Sequence, residues 1–196
     1  MKNVLILGAA GSLARVVTQT LLDSSEARLT LYLRRPDRLP PRHDPRVAVV
    51  KGDVMDQATL RQAMAGQDIV YANLAGDMKA QAQSVIAAMH ATGVRRLIFV
   101  TSMGIYGEVP GERYRSVLDP YRDSAAEIEA SDLDYTLLRP GWFTHGSEVD
   151  YQLTQKGEAF RGYHVSRVSI AALVCSLVNH PAQHLYESLG IARVND

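Results

Sequence analysis

Short unbroken apolar runs alternate along this chain with stretches in which apolar positions recur every three or four residues. Val4-Leu5-Ile6-Leu7 is the first run, and Leu13, Val16, Val17 and Leu21 behind it have the spacing of one helix face. Leu29, Leu31 and Leu33 alternate as in a strand, and Val47 to Val50 form another unbroken run. Leu60, Ala63 and Met64 indicate a short helix that Asp56 is placed to cap. Ile69 to Ala72 reads as a strand, followed by helical spacing at Ala82, Val85, Ile86 and Met89 that Gly93 would end. Leu97-Ile98-Phe99-Val100 has the pattern of a buried strand. Asp119-Pro120 offers an N-cap and a first-turn proline to a helix carrying Tyr121, Ala125 and Ile128 on one face. Tyr135 to Leu138 returns to strand until Pro140-Gly141 stops it; a last helix runs from about Ser169 to Asn179, and a last strand lies near Leu185 to Leu189. Apolar strands alternating with helices predict a parallel sheet covered on both faces, a doubly wound α/β fold. No repeat, low-complexity tract or linker interrupts the pattern, so residues 1–196 read as one domain.

The first strand runs into Gly8-Ala9-Ala10-Gly11-Ser12-Leu13-Ala14, a G-x-x-G-x-x-A turn between strand and helix. That order is what a dinucleotide-binding crossover requires. Gly8 permits the tight turn, Gly11 lets the backbone approach a diphosphate, and Ala14 is small enough for close helix–sheet packing. The amides of Ala10, Ser12 and Leu13 and the positive end of the helix would then face the phosphates. A rival reading, a minimal signal peptide, fails on a single N-terminal lysine, a short apolar run and Arg15 just beyond it.

Composition narrows the partners. Lys plus Arg equals Asp plus Glu at 21 each, so the chain lacks the basic excess of a nucleic-acid binder. No window has the length of a transmembrane helix, and the chain reads as cytoplasmic with no membrane partner. Cys175, the one cysteine, lies among Ile170, Leu173, Val174 and Leu177 and reads as core. Neither His164 nor His184 has a partner at ligand spacing, so no metal is expected.

Ligands of such sheets bind at the C-terminal strand ends. The second strand ends in Leu33-Arg34-Arg35-Pro36-Asp37-Arg38, with guanidinium groups where an NAD-preferring site usually has a carboxylate for the ribose 2′-hydroxyl. This points to NADP(H) in preference to NAD(H), with Arg34 the leading candidate and Arg35 and Arg38 in support. The third strand ends at Asp53-Val54, where a carboxylate and an apolar side chain suit an adenine or, equally, a solvated turn. The fourth ends at Leu74-Ala75-Gly76, where small residues admit a ribose or tight packing. The fifth ends at Thr101-Ser102, whose serine is placed either to bond an acceptor carbonyl or to cap a turn.

These segments, with Thr101 to Gly107, Ser131 to Gly141 and His164-Val165-Ser166-Arg167, together resemble the atypical short-chain dehydrogenase/reductase superfamily. The resemblance is to its small NAD(P)H-binding, NmrA-like branch, which includes biliverdin-reductase-B-like and flavin-reductase-like members, and it covers essentially the whole chain. It implies a Rossmann-like fold with short substrate loops and NADP(H) lying across the strand ends. It also implies Asp53-Val54 near adenine, Leu74-Ala75-Gly76 near the ribose, and Thr101, Ser102 and Pro140-Gly141-Trp142-Phe143 toward the nicotinamide.

One departure is chemical. Ordinary members use Y-x-x-x-K as acid/base and ribose anchor. Here Tyr106 is followed four places on by Pro110, Tyr114 by Leu118 and Tyr121 by Ala125. Tyr121 falls where relatives often carry the lysine, so Ser102 and Tyr121 are the remaining catalytic candidates. Two functions follow. One is an NADPH-dependent reductase of a small conjugated acceptor such as a flavin or quinone, which needs little acid/base help. The other is a non-catalytic NADP(H) sensor acting on a protein partner. The acceptor is expected between Met103–Asp119 and Trp142–Val165, among Tyr106, Tyr114, Trp142, Phe143, Tyr151, Phe160 and Tyr163. Oligomeric state is left open.

Overall fold

The computed structural model describes residues 1–196. The elements run β1 (Asn3–Leu7), α1 (Ser12–Ser24), β2 (Arg28–Leu33), β3 (Val47–Lys51), α2 (Gln57–Met64), β4 (Ile69–Ala72), α3 (Met78–Thr92) and β5 (Arg96–Val100). They continue with α4 (Asp119–Glu129), β6 (Asp134–Pro140), β7 (Trp142–Thr144), β8 (Gln152–Gln155), β9 (His164–Ser166), α5 (Arg167–Asn179) and β10 (Glu187–Ala192). Eight strands form one sheet in the order β3-β2-β1-β4-β5-β6-β10-β8, parallel except for β8, which pairs antiparallel to β10. This is the doubly wound α/β sheet that the alternating pattern predicts, in the Rossmann-like form that the resemblance implies.

Strand side chains alternate between faces. Val4 and Ile6 join the apolar cluster beneath α1 and α5, whereas Leu5 and Leu7 join the one beneath α2, α3 and α4. All four are fully buried, each worth about 1.5–3 kcal/mol of burial. Chain direction along the sheet reverses beside β1: β2 and β3 build outward on one side, and α2 carries the chain back to β4 on the other. The loops after β1 and β4 therefore splay apart and leave a crevice between them.

Local signals account for most boundaries. The Asp56 carboxylate accepts the Thr59 N–H, as the cap requires, and Gly93 ends α3 at a φ of +77° that side chains avoid. Three expectations need correction. Val47 to Val50 is not a buried strand: β3 is the sheet edge, and Val49 is 50% exposed. Asp119 is the first residue of α4, not its cap; its carboxylate accepts the Tyr114 hydroxyl at 2.7 Å. The final strand begins at Glu187, two residues late, whereas β6 ends at Pro140, where the Pro140-Gly141 stop is expected. The segments β7, β8 and β9 are too short for a periodic signal and had no counterpart in the pattern.

Candidate functional site

At the crevice, the Gly8 turn passes so close to β4 that an added Cβ would lie 2.1 Å from the Asn73 carbonyl oxygen. Its φ of +75° is a second reason that only glycine fits. Gly11 caps α1 with ordinary extended backbone, and no acidic residue occupies the first turn. The N–H groups of Ala10, Ser12 and Leu13 find no acceptor in the chain. Backbone donors are thus left facing the loop at the positive end of a helix dipole.

A cleft of about 800 Å³ opens there across the ends of β1, β2, β3 and β4. It is lined by Gly8, Ala10, Gly11, Arg34, Arg35, Arg38, Asp53, Val54, Leu74 and Ala75, among others. Arg34 and Arg38 are exposed and make no side-chain hydrogen bond, whereas Arg35 pairs with Asp37 at 3.2 Å. Arg15 ties the two walls together, donating to the carbonyls of Ala10 at 3.0 Å and Arg38 at 2.5 Å. Asp53 is held in its turn: its Oδ1 accepts the Met55 N–H, and its carbonyl accepts the Tyr32 hydroxyl at 2.8 Å. That phenol lies against Gly52, where a Cβ would sit 2.3 Å from its oxygen. Burial, with Asp56 and Asp53 adding, pushes the Tyr32 hydroxyl up to about 12, so it remains a donor.

A smaller hollow of about 70 Å³ lies beyond the ends of β5 and β6, between residues 102–118 and 140–142. Ser102, Pro140, Gly141 and Trp142 line it, and the Ser102 hydroxyl donates to the Met103 carbonyl at 3.0 Å. Gly141 is forced by β9, because a Cβ there would lie 2.4 Å from the Tyr163 carbonyl oxygen. Of the aromatic residues expected around an acceptor, Tyr114 and Trp142 reach the hollow. Phe160 is buried beneath it beside Met103 and Val109. Tyr106 turns away to bond Glu129 and Ser188, at 2.5 and 2.9 Å.

Several candidates lie off both hollows. Thr101 is buried and bonds the Leu138 carbonyl at 2.8 Å, and the Leu13 side chain belongs to the core. The Ser12 hydroxyl accepts from Arg167, Gly76 faces open space, and Phe143 lies under the Arg167 guanidinium. Tyr121 packs against the α2–α4 cluster, its carbonyl accepts the Ser124 hydroxyl at 2.8 Å, and its own hydroxyl makes no hydrogen bond.

Residues 8–181 match the family described as NAD(P)H-binding. The chain belongs to that family. Its solved neighbours include a Rossmann-fold NAD(P)-binding family protein from Shigella flexneri, 47% identical with a TM-score of 0.89, covering 100% of this chain and 95% of that one. A short-chain dehydrogenase/reductase from Veillonella parvula in complex with NADP is 29% identical with a TM-score of 0.91, covering 99% and 95%. The (4-alkanoyl-5-oxo-2,5-dihydrofuran-3-yl)methyl phosphate reductase of Streptomyces griseus is 31% identical over 140 residues, 71% of this chain. This chain spans about half the length of that relative, 48%. The NAD(P)H-binding chain thus resembles an NADP-bound short-chain dehydrogenase/reductase over nearly its whole length.

Two features of this NAD(P)H-binding chain escaped the sequence reading. Arg167, the first residue of α5, reaches back to the glycine loop, donating to the Ser12 hydroxyl at 3.1 Å and the Thr144 carbonyl at 3.4 Å, 5.0 Å above the Phe143 ring. Its place in His164-Val165-Ser166-Arg167 marked a segment, but nothing in sequence joins residue 167 to residue 12. The other is the buried pair of Arg139 and Glu108, 2.8 Å apart. Arg139 also bonds Ser188 and the Thr154 carbonyl, while Glu108 accepts the Gly104 and Tyr106 N–H groups at 2.8 and 2.9 Å. This network pins the 104–108 turn, one wall of the smaller hollow, to β6, β8 and β10.

Proposed function

We propose that this chain is an NADPH-dependent reductase that passes hydride to a conjugated acceptor at the hollow beyond β5 and β6. The observation that carries this reading is the cleft itself: open backbone donors at the glycine turn, and unpaired Arg34 and Arg38 at the end of β2. That donor set suits a diphosphate and a second, ribose-linked phosphate. The Gly8 cradle and the free amides meet the needs of such a dinucleotide. Arg34 and Arg38 would hold the 2′-phosphate, Asp53 and Val54 would flank adenine, and Arg167 would lie beside the diphosphate.

The bound cofactor supplies the hydride. Ser102, Pro140, Gly141 and Trp142 would form the wall against which the nicotinamide and acceptor are oriented. The acceptor takes two electrons and one proton as hydride, and its second proton comes from water. A conjugated acceptor suits this site because it spreads the incoming charge and needs no strong acid. The protein then works by orientation and water exclusion. The Streptomyces relative is named as the reductase of an oxo-dihydrofuran, which agrees with an acceptor of this class.

A second reading, a non-catalytic NADP(H) sensor, draws on two observations: Tyr121 lies off both hollows, and the Tyr114 hydroxyl is committed to Asp119. Titration with NADPH and NADH, then NADPH oxidation against flavins, quinones and aldehydes, separates the two. Turnover of a flavin or quinone is expected. Tight NADPH binding with no acceptor reduced would transfer the assignment to the sensor.

A further inference from the structure

Seventeen arginines are present, and thirteen of them give a side-chain hydrogen bond within the chain. The four that give none are Arg34, Arg38, Arg113 and Arg115. Two of these line the cleft at β2, and the other two line the hollow beyond β5 and β6. Exposure does not explain the division. Arg161 and Arg193 are more than half exposed and still pair with carboxylates. Uncommitted guanidinium groups are thus confined to the two hollows.

Arg113 and Arg115 also project from an anchored segment. Tyr114 between them is held by its hydroxyl to Asp119, and the Arg122 guanidinium lies 5.4 Å from its ring centre. Arg122 is itself neutralised by Asp119 and Asp123, at 3.3 and 2.9 Å. Glu108 beneath the hollow is consumed by Arg139. Glu112 is the one acidic side chain on the lining, against two arginines, so the lining that includes Trp142 carries an excess of one positive charge. Paired guanidinium forks suit carboxylate or phosphate oxygens, and the adjacent indole suits a flat conjugated ring.

We infer that the acceptor carries an anionic substituent, a carboxylate or a phosphate, which Arg113 and Arg115 hold while its conjugated part lies against Trp142. This rests on the reductase reading and makes the two arginines determinants of acceptor specificity. They have no share in the cofactor's own phosphates, which belong to the other pair.

Matched acceptors test it. FMN and riboflavin share one ring system and differ by a phosphate; menadione and a carboxylated naphthoquinone supply the carboxylate arm. With NADPH, wild-type kcat/KM is expected to favour each charged acceptor by on the order of tenfold or more, the scale of a charge-assisted contact. The KM for FMN should rise with ionic strength. The Arg113→Gln/Arg115→Gln double variant should lose both preferences while its Kd for NADPH stays at the wild-type value. Equal handling of charged and neutral acceptors by the wild type, or a preference that survives in the double variant, overturns the inference and leaves the reductase reading standing. If NADPH binds but no acceptor is reduced, the reductase reading falls. FMN and riboflavin binding to the NADP⁺-loaded protein, read by flavin fluorescence, then judges the anion site by the same criteria.

Discussion

At the scale of single residues, the cofactor cleft depends on contacts too close for any substitute. Gly8→Ala would force a Cβ into the Asn73 carbonyl at a φ that non-glycine residues rarely adopt. Backbone strain alone costs roughly 1–3 kcal/mol, and the clash adds to it. Urea unfolding should show that loss of stability, and calorimetry should show loss of NADPH binding in whatever fraction remains folded. The arginines divide differently. Arg34→Ala should weaken NADPH by about tenfold or more and leave NADH unchanged, because only NADPH carries the 2′-phosphate. Arg167→Ala should weaken NADPH and NADH by the same factor, since both contain the diphosphate that Arg167 is proposed to lie beside. Equal losses for both cofactors in Arg34→Ala would remove the 2′-phosphate assignment. The glycine turn and Arg34 were legible because each follows a strand directly in sequence. Arg167 was not, because 155 residues separate it from Ser12.

At the scale of elements, the strands were legible wherever burial on both faces left an unbroken apolar run, as in β1, β4 and β5. The same signal misled at β3, because an apolar run records a preference for strand and not a position within the sheet; β3 lies at the edge with one neighbour. Short strands such as β7 and β9 exist because each completes the other, and three residues hold no period to read. The wall of the smaller hollow depends on an element-scale bond, Glu108 to Arg139, across 31 residues. Glu108→Ala would leave a fully buried guanidinium without its counter-charge, at a cost of about 3–5 kcal/mol. A large drop in thermal midpoint is expected, with Glu108→Gln milder because the amide oxygen still accepts. A midpoint unchanged in Glu108→Ala would show that the pair does not hold the turn.

At the scale of the whole molecule, paired carboxylates set the response to acid, some within one turn and some, such as Asp132 with His90 and Asp196 with His164, between distant segments. His90 beside Asp132, and Arg46 beside Asp44, hold those carboxyls below the ordinary 3.8. His184 and Gln155 hold Glu187 below 4.5. Burial would raise Asp196, but bonds from His164, Tyr163 and Arg193 outweigh it and bring it well down. Each is depressed in the folded state, so each contributes stability above its unfolded value that is lost as pH falls through the folded one. Chemical denaturation between pH 7 and 2 should therefore show near-constant stability down to about pH 5 and a progressive fall below it. A stability that rose on acidification would contradict this balance.

The order of apolar runs, helix faces and the glycine turn already determined the alternation of elements and the loop after β1. These are local preferences, decided by steric and hydrophobic demands within a few residues. Which strand became an edge, which arginines found partners and which stayed free, and how Arg167 came to lie at Ser12 were decided only by the tertiary structure. Those outcomes depend on surfaces brought together from remote parts of the chain, and no local pattern encodes which surfaces will meet.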